Sequence, residues 1–184
     1  VRRARPAAVL GGVGAPVRLD EAAAKAEELA NAGDERALAQ LRAEWDDELE
    51  AAARNADYRI RAVAFRALAQ FRFRAKLELL RRGLDDESPA VRGSALIALE
   101  SLSRGHPGDV QKYRPLLHEL ATRDGNAAVR RLAIVCFRNG SPEPATISIL
   151  DGIAADDEVD AEVAKTARSV SLLLVKKRNT KGKS

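Results

Sequence analysis

The fold of this chain is decided by residues 85–99, which read DDESPAVRGSALIAL. Ser88 lies three positions before Val91 and can accept a hydrogen bond from an exposed amide at the start of a helix. Ala95 lies four positions after Val91, so the two side chains share one face of that helix. Arg92 adds a charge directly after the apolar anchor. The stretch therefore predicts a capped amphipathic helix.

The same spacing recurs at three other places, which makes the stretch a repeat unit. The other copies are residues 55–68 (NADYRIRAVAFRAL), 124–137 (DGNAAVRRLAIVCF) and 158–171 (EVDAEVAKTARSVS). The four anchors, Ile60, Val91, Val129 and Val163, lie 31, 38 and 34 residues apart. In the fourth copy Ser171 replaces a large apolar residue, as expected of a terminal repeat. A period of this length holds two helices and their turns.

A second helix is predicted between each pair of anchors, because apolar residues there recur every three or four positions. The stripes are Phe73, Leu77, Leu80 and Leu84, then Leu116, Leu117 and Leu120, then Ile147, Leu150 and Ile153. Two more helices precede the first copy. One runs from Asp20 to about Ala32, and one follows Asp34 with Trp45 on its apolar stripe, where we expect it to reach the core.

The composition also favours an all-α fold. Of the 184 residues, 46% are hydrophobic but only 4% are aromatic, which suits closely packed helices with small residues between them. The single cysteine, Cys136, is interpreted as a small buried hydrophobe. The sequence has no apolar run of about 18 residues, so it predicts no membrane span. Nothing requires an oxidising compartment, and we expect a cytoplasmic location.

The repeated polar and small residues have structural explanations that need no ligand. Predicted helix caps are Asp57, Ser88, Asn126 and Asp160. Small residues that permit close helix approach are Ala64, Ala95, Ala133 and Ala167. The arginines after the anchors are Arg61, Arg92 and Arg130, and the polar residues five positions before the anchors are Asn55, Asp86 and Asp124. We predict that stacked units place each arginine against a polar side chain of a neighbour.

This pattern of an acid or amide, a branched apolar residue, an arginine, a small residue and a large apolar residue resembles the HEAT repeats of α-solenoid proteins. The resemblance covers about residues 35–175. It implies an α-solenoid of about four HEAT-like helix pairs with an extra N-terminal capping helix, and contacts between repeats made by the aspartate and arginine. HEAT repeats serve scaffolds, transport factors, lyases and nucleic-acid enzymes, so the resemblance does not assign a function.

The net charge of +4 is unevenly distributed. Residues 1–18 and 176–184 hold nine basic residues and no acid, whereas residues 19–175 carry a net charge of −5. We predict a flexible basic leader, a single HEAT-like helical repeat domain and a disordered basic tail over these three ranges. An export or organelle signal, or the end of a longer chain, stays open for the leader.

The sequence does not match the sites of enzymes that are built from HEAT-like repeats. The iron site of deoxyhypusine hydroxylases uses several His-Glu pairs, but this chain has one, His118-Glu119, and its other histidine, His106, lies in a Gly/Pro-rich loop. HEAT-like DNA glycosylases use several tryptophans, and here there is one. The acids of residues 44–50 are interpreted as a solvated face. We therefore predict no catalytic residue, no cofactor and no metal.

The best candidate for a specific surface is residues 54–82, with nine basic and two acidic residues. The candidate residues are Arg59, Arg66, Arg72, Arg74, Arg81 and Arg82. Arg59 and Arg66 are seven positions apart, as are Arg74 and Arg81, so each pair is expected to share a helix face. We also expect Glu78 to pair with Arg74 and Arg81, and the acidic helix to neutralise part of the surface.

The leading hypothesis is a non-enzymatic module that presents a concave helical surface to a protein partner. The alternative is a nucleic-acid-binding protein that uses residues 54–82 and the C-terminal tail to follow a phosphate backbone. The sequence does not identify the partner or the oligomeric state.

Overall fold

The computed structural model describes residues 15–181, and these residues form helices and connecting turns without a strand. The helices are α1 (Ala15–Ala32), α2 (Glu35–Ala53), α3 (Tyr58–Gln70), α4 (Leu77–Leu84), α5 (Pro89–Leu102), α6 (Pro107–Arg123), α7 (Ala127–Cys136), α8 (Pro144–Ala155) and α9 (Ala161–Lys181). Short 3-10 helices cover Arg74–Lys76, before α4, and Phe137–Asn139, after α7.

The helices form two layers. Helices α1, α3, α5, α7 and α9 pack side by side in chain order, and α2, α4, α6 and α8 each pack on the helix that follows them. The backbones of the even-numbered helices lie farther from one another, and these helices contact each other mainly through side chains. Because helices on the inside of a curve lie closer together, we call the odd-numbered helices the inner layer and the even-numbered helices the outer layer. The predicted all-α solenoid of four helix pairs with an extra N-terminal helix is confirmed.

The small residues of the repeat are buried where helices come closest. Ala64, Ala95, Ala133 and Ala167 are fully buried. At the contact between α4 and α5, a methyl group added to Gly83 would lie 2.8 Å from the Cβ atom of Ala95 and 2.7 Å from the ring of Phe65. These positions therefore set the distance between the layers.

Three of the four predicted caps are confirmed. The side chains of Asp57, Asn126 and Asp160 accept hydrogen bonds from amides at the starts of α3, α7 and α9. The prediction for Ser88 is wrong, since its side chain accepts no capping bond. Its amide instead donates to the carboxylate of Asp86 at 2.9 Å, which fixes the turn before α5.

The ends of the helical region differ from the sequence prediction. Helix α1 begins at Ala15, before Asp20, and α9 continues to Lys181, so a helix stands at residues 176–181, where we predicted a disordered tail. The ammonium group of Lys177 donates to the carbonyl of Arg138, and basic residues at a helix C-terminus are favourable. The leader prediction for residues 1–14 lies outside the described residues.

Trp45 is half-buried at the edge of the core. The guanidinium carbon of Arg18 lies 5.8 Å from the centre of its ring. Phe71, in contrast, is fully buried at the end of α3.

Candidate functional site

The repeated arginines connect neighbouring units, as predicted for the first two. Arg61 is buried and donates to both carboxylate oxygens of Asp86, at 2.7 and 2.9 Å. It also donates to the carbonyls of Asn55 and Ala56, both at 2.9 Å. Burial by itself raises the pKa of Asp86, but the hydrogen bonds from Arg61 and the Ser88 amide outweigh it, so the pKa lies below its ordinary value. This pair joins α3 to the turn before α5.

Arg92 makes the same kind of connection between units as Arg61, whereas Arg130 does not. Arg92 donates to both carboxylate oxygens of Asp124, at 2.7 and 2.9 Å. Arg130 instead donates to the carbonyl of Ala121 at 3.0 Å, although Glu158 of the fourth unit stands at the position equivalent to Asp86 and Asp124. The repeated polar residues thus act in stacking, and a specific surface has to come from residues that do not repeat.

A groove of about 650 Å³ lies on the inner layer between α1, α3 and α5. We call it the inner groove. Its charged lining residues are Asp20, Glu27, Arg66, Arg72, Glu100 and Arg104, with Ile97 of α5 beside them.

Most charged groups of the inner groove already have partners. The pairs are Arg104 with Glu100 at 2.8 and 3.2 Å, Gln70 with Glu27 at 3.0 Å, and Arg72 with Asn31 at 3.4 Å. Arg66 is exposed on α3, and within residues 18–180 no carboxylate oxygen lies within 4.0 Å of its guanidinium nitrogens. Its charge is therefore available to a ligand.

Two aliphatic residues follow Arg66 across the inner layer. The residues six positions after the four anchors are Arg66, Ile97, Val135 and Ser169. Since α3, α5, α7 and α9 lie side by side, these residues follow one another across the layer. Ile97 is 44% exposed and Val135 is partly buried. An exposed aliphatic side chain thus lies next to an arginine that has no acidic partner.

A second groove, of about 850 Å³, lies between α2 and α4 on the outer layer. The ammonium group of Lys76 lies in it, 2.8 Å from Asp46 and 2.6 Å from Glu50. Burial lowers the pKa of Lys76, but hydrogen bonds to both carboxylates outweigh it and the net pKa is raised. Arg54 also contacts Glu50, at 3.6 Å. The acidic helix therefore neutralises part of the basic segment, as expected, mainly through a lysine.

The six candidate arginines do not form one surface. Arg59 and Arg66 are exposed on α3 of the inner layer, and Arg72 lines the inner groove. Arg82 lines the groove of the outer layer, and Arg81 is exposed on α4. The surface is thus divided between the two layers.

Arg74 lies in the 3-10 helix before α4 and pairs with Asp109 of α6 at 2.6 Å. It therefore does not share a helix face with Arg81. The predicted pairing of Glu78 with these arginines is wrong, since Glu78 pairs with Lys112 of α6. Both differences arise because α6 lies beside α4, a neighbourhood that spacing along one helix does not reveal.

Sequence reasoning missed a buried polar cluster between α6 and α8. Arg114 is 5% exposed and donates to the hydroxyl of Thr146 at 2.6 Å, with Glu143 at 3.3 Å. The Nε2 atom of His118 lies 2.9 Å from the same hydroxyl. Burial lowers the pKa of His118, and Arg114 lowers it further. The sequence did contain one sign of this cluster, because Arg114 and His118 lie four positions apart next to the apolar stripe of α6.

Three further expectations from the sequence concern metal ligands, the single cysteine and membrane spans. Among the described residues, no three histidine, cysteine or carboxylate side chains gather as a group that could hold a metal ion. Cys136 is fully buried as predicted, and burial raises the pKa of its thiol. In the part of the chain that the structure describes, no helix combines the length and apolar character needed to cross a membrane.

Comparison with known proteins supports the repeat architecture. A family model described as HEAT repeats matches residues 47–134, which extend from the second half of α2 into α7. The first three repeat units lie within or at the edge of this match. A comparison with curated proteins finds no match to the chain.

Proposed function

We propose that this chain, whose residues 47–134 match a family model of HEAT repeats, is an interaction module that binds a protein partner on its inner layer. HEAT repeats are generally scaffolds for protein interactions. The observation that carries the proposal for this chain is the continuous row of Arg66, Ile97 and Val135 on consecutive inner helices.

The row has the character of a binding surface because it is not needed for stacking. Ile97 leaves 44% of its surface exposed, and the guanidinium group of Arg66 has no carboxylate partner in residues 18–180. Arginine is enriched at the centres of protein interfaces, where it supplies hydrogen bonds and apolar area together.

Site-specific photo-crosslinking tests the proposal. A photoreactive amino acid is placed at position 97 on the inner layer and, as the control, at position 172, since Leu172 is exposed on α9 outside the row. We expect one protein to be crosslinked from position 97 in cells and again after reconstitution with purified components, and none from position 172. Crosslinking from position 172 alone would contradict the proposal. So would turnover of a substrate that depends on polar residues elsewhere.

The nucleic-acid alternative has less support, because the arginines on which it depends are divided between the layers. Arg74 is also paired with Asp109. A protein that follows a phosphate backbone needs several cations along one path. Titration of the full chain with labelled oligonucleotide at two salt concentrations tests this alternative, and no binding at low salt would rule it out.

A further inference from the structure

The last two helices of the inner layer carry basic residues and almost no acidic ones. Residues 127–142, which contain α7, include three arginines and no acid, and residues 163–181 of α9 include six basic residues and no acid. The acids of the fourth unit lie before this stretch, in the turn over residues 156–160 and at Glu162 in the first turn of α9. Because α7 and α9 pack side by side, the basic residues of both helices come together.

Four of these basic residues are exposed on the inner side of the layer. Arg130 and Arg168, in contrast, donate to the carbonyls of Ala121 and Ala154 on α6 and α8, so both reach toward the outer layer. The exposed residues on the face of α7 and α9 that is turned away from these helices are Arg131, Arg138, Lys165 and Lys176. We call these four residues the C-terminal basic surface.

The C-terminal basic surface consists of two neighbouring rows of cations. Arg131 and Lys165 both lie two positions after their anchors and therefore stand side by side. Arg138 follows Arg131 by seven residues, about 10 Å along the helix axis. The ammonium group of Lys177 donates to the carbonyl of Arg138, which holds the end of α9 against the end of α7 and brings Lys176 close to Arg138. Packed helices are about 8 to 10 Å apart, which sets the distance between the rows.

The charges of this surface are available to a ligand. Within residues 18–180, no carboxylate oxygen lies within 4.0 Å of the side-chain nitrogens of Arg131, Arg138 or Lys176. Lys165 lies 3.6 Å from Glu162, but both side chains are mostly exposed, and such a pair is weak. Four basic residues and Glu162 give the surface a net charge of +3.

The acids that border the surface are engaged elsewhere. Glu100 of α5 pairs with Arg104 at 2.8 Å, and Glu143 before α8 lies 3.3 Å from buried Arg114. The inner groove differs in this respect, since three arginines and three carboxylates line it. The excess of positive charge on the inner layer is therefore concentrated on α7 and α9.

The C-terminal basic surface offers charge rather than apolar contact. Leu172 is exposed beside it, but every other exposed residue of α9 between Lys165 and Thr180 is polar or charged. A protein interface has an apolar centre, and a helix that lies on a bilayer buries an apolar face. A phosphate backbone requires only cations at suitable positions. The composition of the surface thus favours a nucleic acid over an acidic protein or an anionic membrane.

Two features favour a duplex over a single strand. Two rows of cations on adjacent helices can contact the phosphates of two strands, whereas a single strand follows one row. Proteins that bind single strands stack the bases on aromatic side chains. Among the described residues, Tyr58 is the only exposed phenylalanine, tyrosine or tryptophan, and it lies on α3, away from this surface.

We propose that the C-terminal basic surface binds double-stranded nucleic acid through its phosphates, without reading the base sequence. This inference goes beyond the proposed function, because the surface uses neither Arg66 nor Ile97. It also shares no residue with the candidate arginines of residues 54–82, which are divided between the two layers.

Fluorescence anisotropy with labelled duplexes of about 20 base pairs tests the proposal. Two duplexes of unrelated sequence are titrated with the full chain at several salt concentrations between about 50 and 200 mM. The comparison probes are a single-stranded oligonucleotide of the same length, polyglutamate, and vesicles that contain phosphatidylserine. Polyglutamate and the vesicles distinguish nucleic acid from other polyanions.

We expect both duplexes to bind equally well and more tightly than the comparison probes. Four phosphate contacts predict a slope of about −3.6 for the logarithm of the binding constant against the logarithm of the salt concentration, so binding is roughly 100-fold weaker at 200 mM than at 50 mM. The double variant Arg131→Gln/Arg138→Gln is expected to bind at least about tenfold more weakly at low salt and to reduce the steepness of the slope by about 2.

Arg36→Gln/Arg123→Gln is the matched control. Both arginines are exposed on the outer helices α2 and α6, and the substitution removes the same charge from the chain. We expect the affinity and the slope of the wild type. Urea unfolding of each variant checks that the fold is retained.

Four results would overturn the proposal: no binding of either duplex at 50 mM salt, wild-type binding by Arg131→Gln/Arg138→Gln, an equal loss in the two double variants, or tighter binding of any comparison probe than of the duplexes. The crosslinking experiment at position 97 tests the proposed function separately, because it depends on a protein partner and on the row of Arg66, Ile97 and Val135.

Discussion

Asp86 is the single residue on which the joint between the first two repeat units depends most. Its carboxylate receives two hydrogen bonds from buried Arg61 and one from the amide of Ser88. The side chains of Arg61 and Asp86 are 9% and 8% exposed. Removing one partner of such a pair leaves the other charge buried without compensation. The resulting loss in the free energy of unfolding is larger than the stability that the intact pair adds over a pair of apolar residues.

Asp86→Asn is therefore expected to lower the free energy of unfolding by about 3 kcal/mol. Urea unfolding followed by circular dichroism at pH 7 measures the change. The matched control is Asp85→Asn, because Asp85 is the adjacent residue and is exposed. Equal effects of the two substitutions would show that the pair of Arg61 and Asp86 does not hold the repeat units together.

His118 makes stability depend on pH. Its pKa in the folded protein lies below the ordinary value of 6.5, because of burial and the nearby positive charge of Arg114. Glu143 opposes this effect. Above about pH 6.5 the histidine is neutral in both states and its contribution to stability is complete. As the pH falls below 6.5, the unfolded chain takes up the proton first, so stability decreases until the folded protein is protonated as well.

His118→Gln is expected to flatten the fall in unfolding free energy between pH 7 and pH 5. Urea titrations at several pH values measure the slope. His106→Gln serves as the control, since His106 is exposed in the loop before α6 and is expected to leave the slope unchanged. If the slope is the same in His118→Gln as in the wild type, His118 does not cause the fall in stability at low pH.

At the scale of the helices, close packing between α4 and α5 fixes the first complete pair. Ala95 is fully buried, and its methyl group faces Gly83, where no further carbon fits without displacing a neighbour. Small residues at such a contact permit approach that a larger side chain prevents.

Ala95→Leu is expected to lower the free energy of unfolding by about 1 to 3 kcal/mol, because the added carbons force α4 and α5 apart. Calorimetry measures this destabilisation as a drop in melting temperature. Ala90→Leu makes the same substitution at an exposed position of α5 and is expected to be nearly neutral. A neutral result for Ala95→Leu would contradict the packing described here.

The helices and their pairing were predictable from the sequence because recurrence separates structural positions from others. Repeated offsets in the sequence predict the buried positions of Ala64 and its equivalents, three of the helix caps, and two of the arginine–aspartate pairs. The missing capping bond of Ser88 was not predictable, because Asp86 accepts from the Ser88 amide just as Asp124 accepts from the amide of Asn126, and Asn126 does cap its helix. The end of α9 was missed because basic residues without apolar neighbours resemble a disordered tail, although Lys177 docks on the chain.

The candidate site was predictable only in part. Spacing along α3 placed Arg59 and Arg66 on one face, but it did not show that Arg82 lies on the other layer or that Arg74 meets Asp109. Such neighbours depend on which helices stack. Ile97 gave no signal as a surface residue because its sequence context is that of a core helix.

At the scale of the whole molecule, the arrangement of repeats creates a surface that no single helix has. Arg66, Ile97 and Val135 belong to three different helices and lie in one row because the units stack in register. In repeat proteins each unit contacts only its neighbours, so residues on the inner surface can vary without disturbing the stacking positions. The pairs of Arg61 with Asp86 and of Arg92 with Asp124, together with the small residues, thus maintain the fold, and the row takes no part in these contacts.

The most direct test of this central claim is the affinity of the crosslinked partner, measured by calorimetry with purified proteins. Ile97→Asp and Leu172→Asp both place a charge at an exposed aliphatic position, 44% and 66% exposed, but only the first lies in the row. We predict that Ile97→Asp weakens binding about tenfold or more while Leu172→Asp leaves it unchanged. Unchanged binding of Ile97→Asp together with a loss in Leu172→Asp would contradict the account.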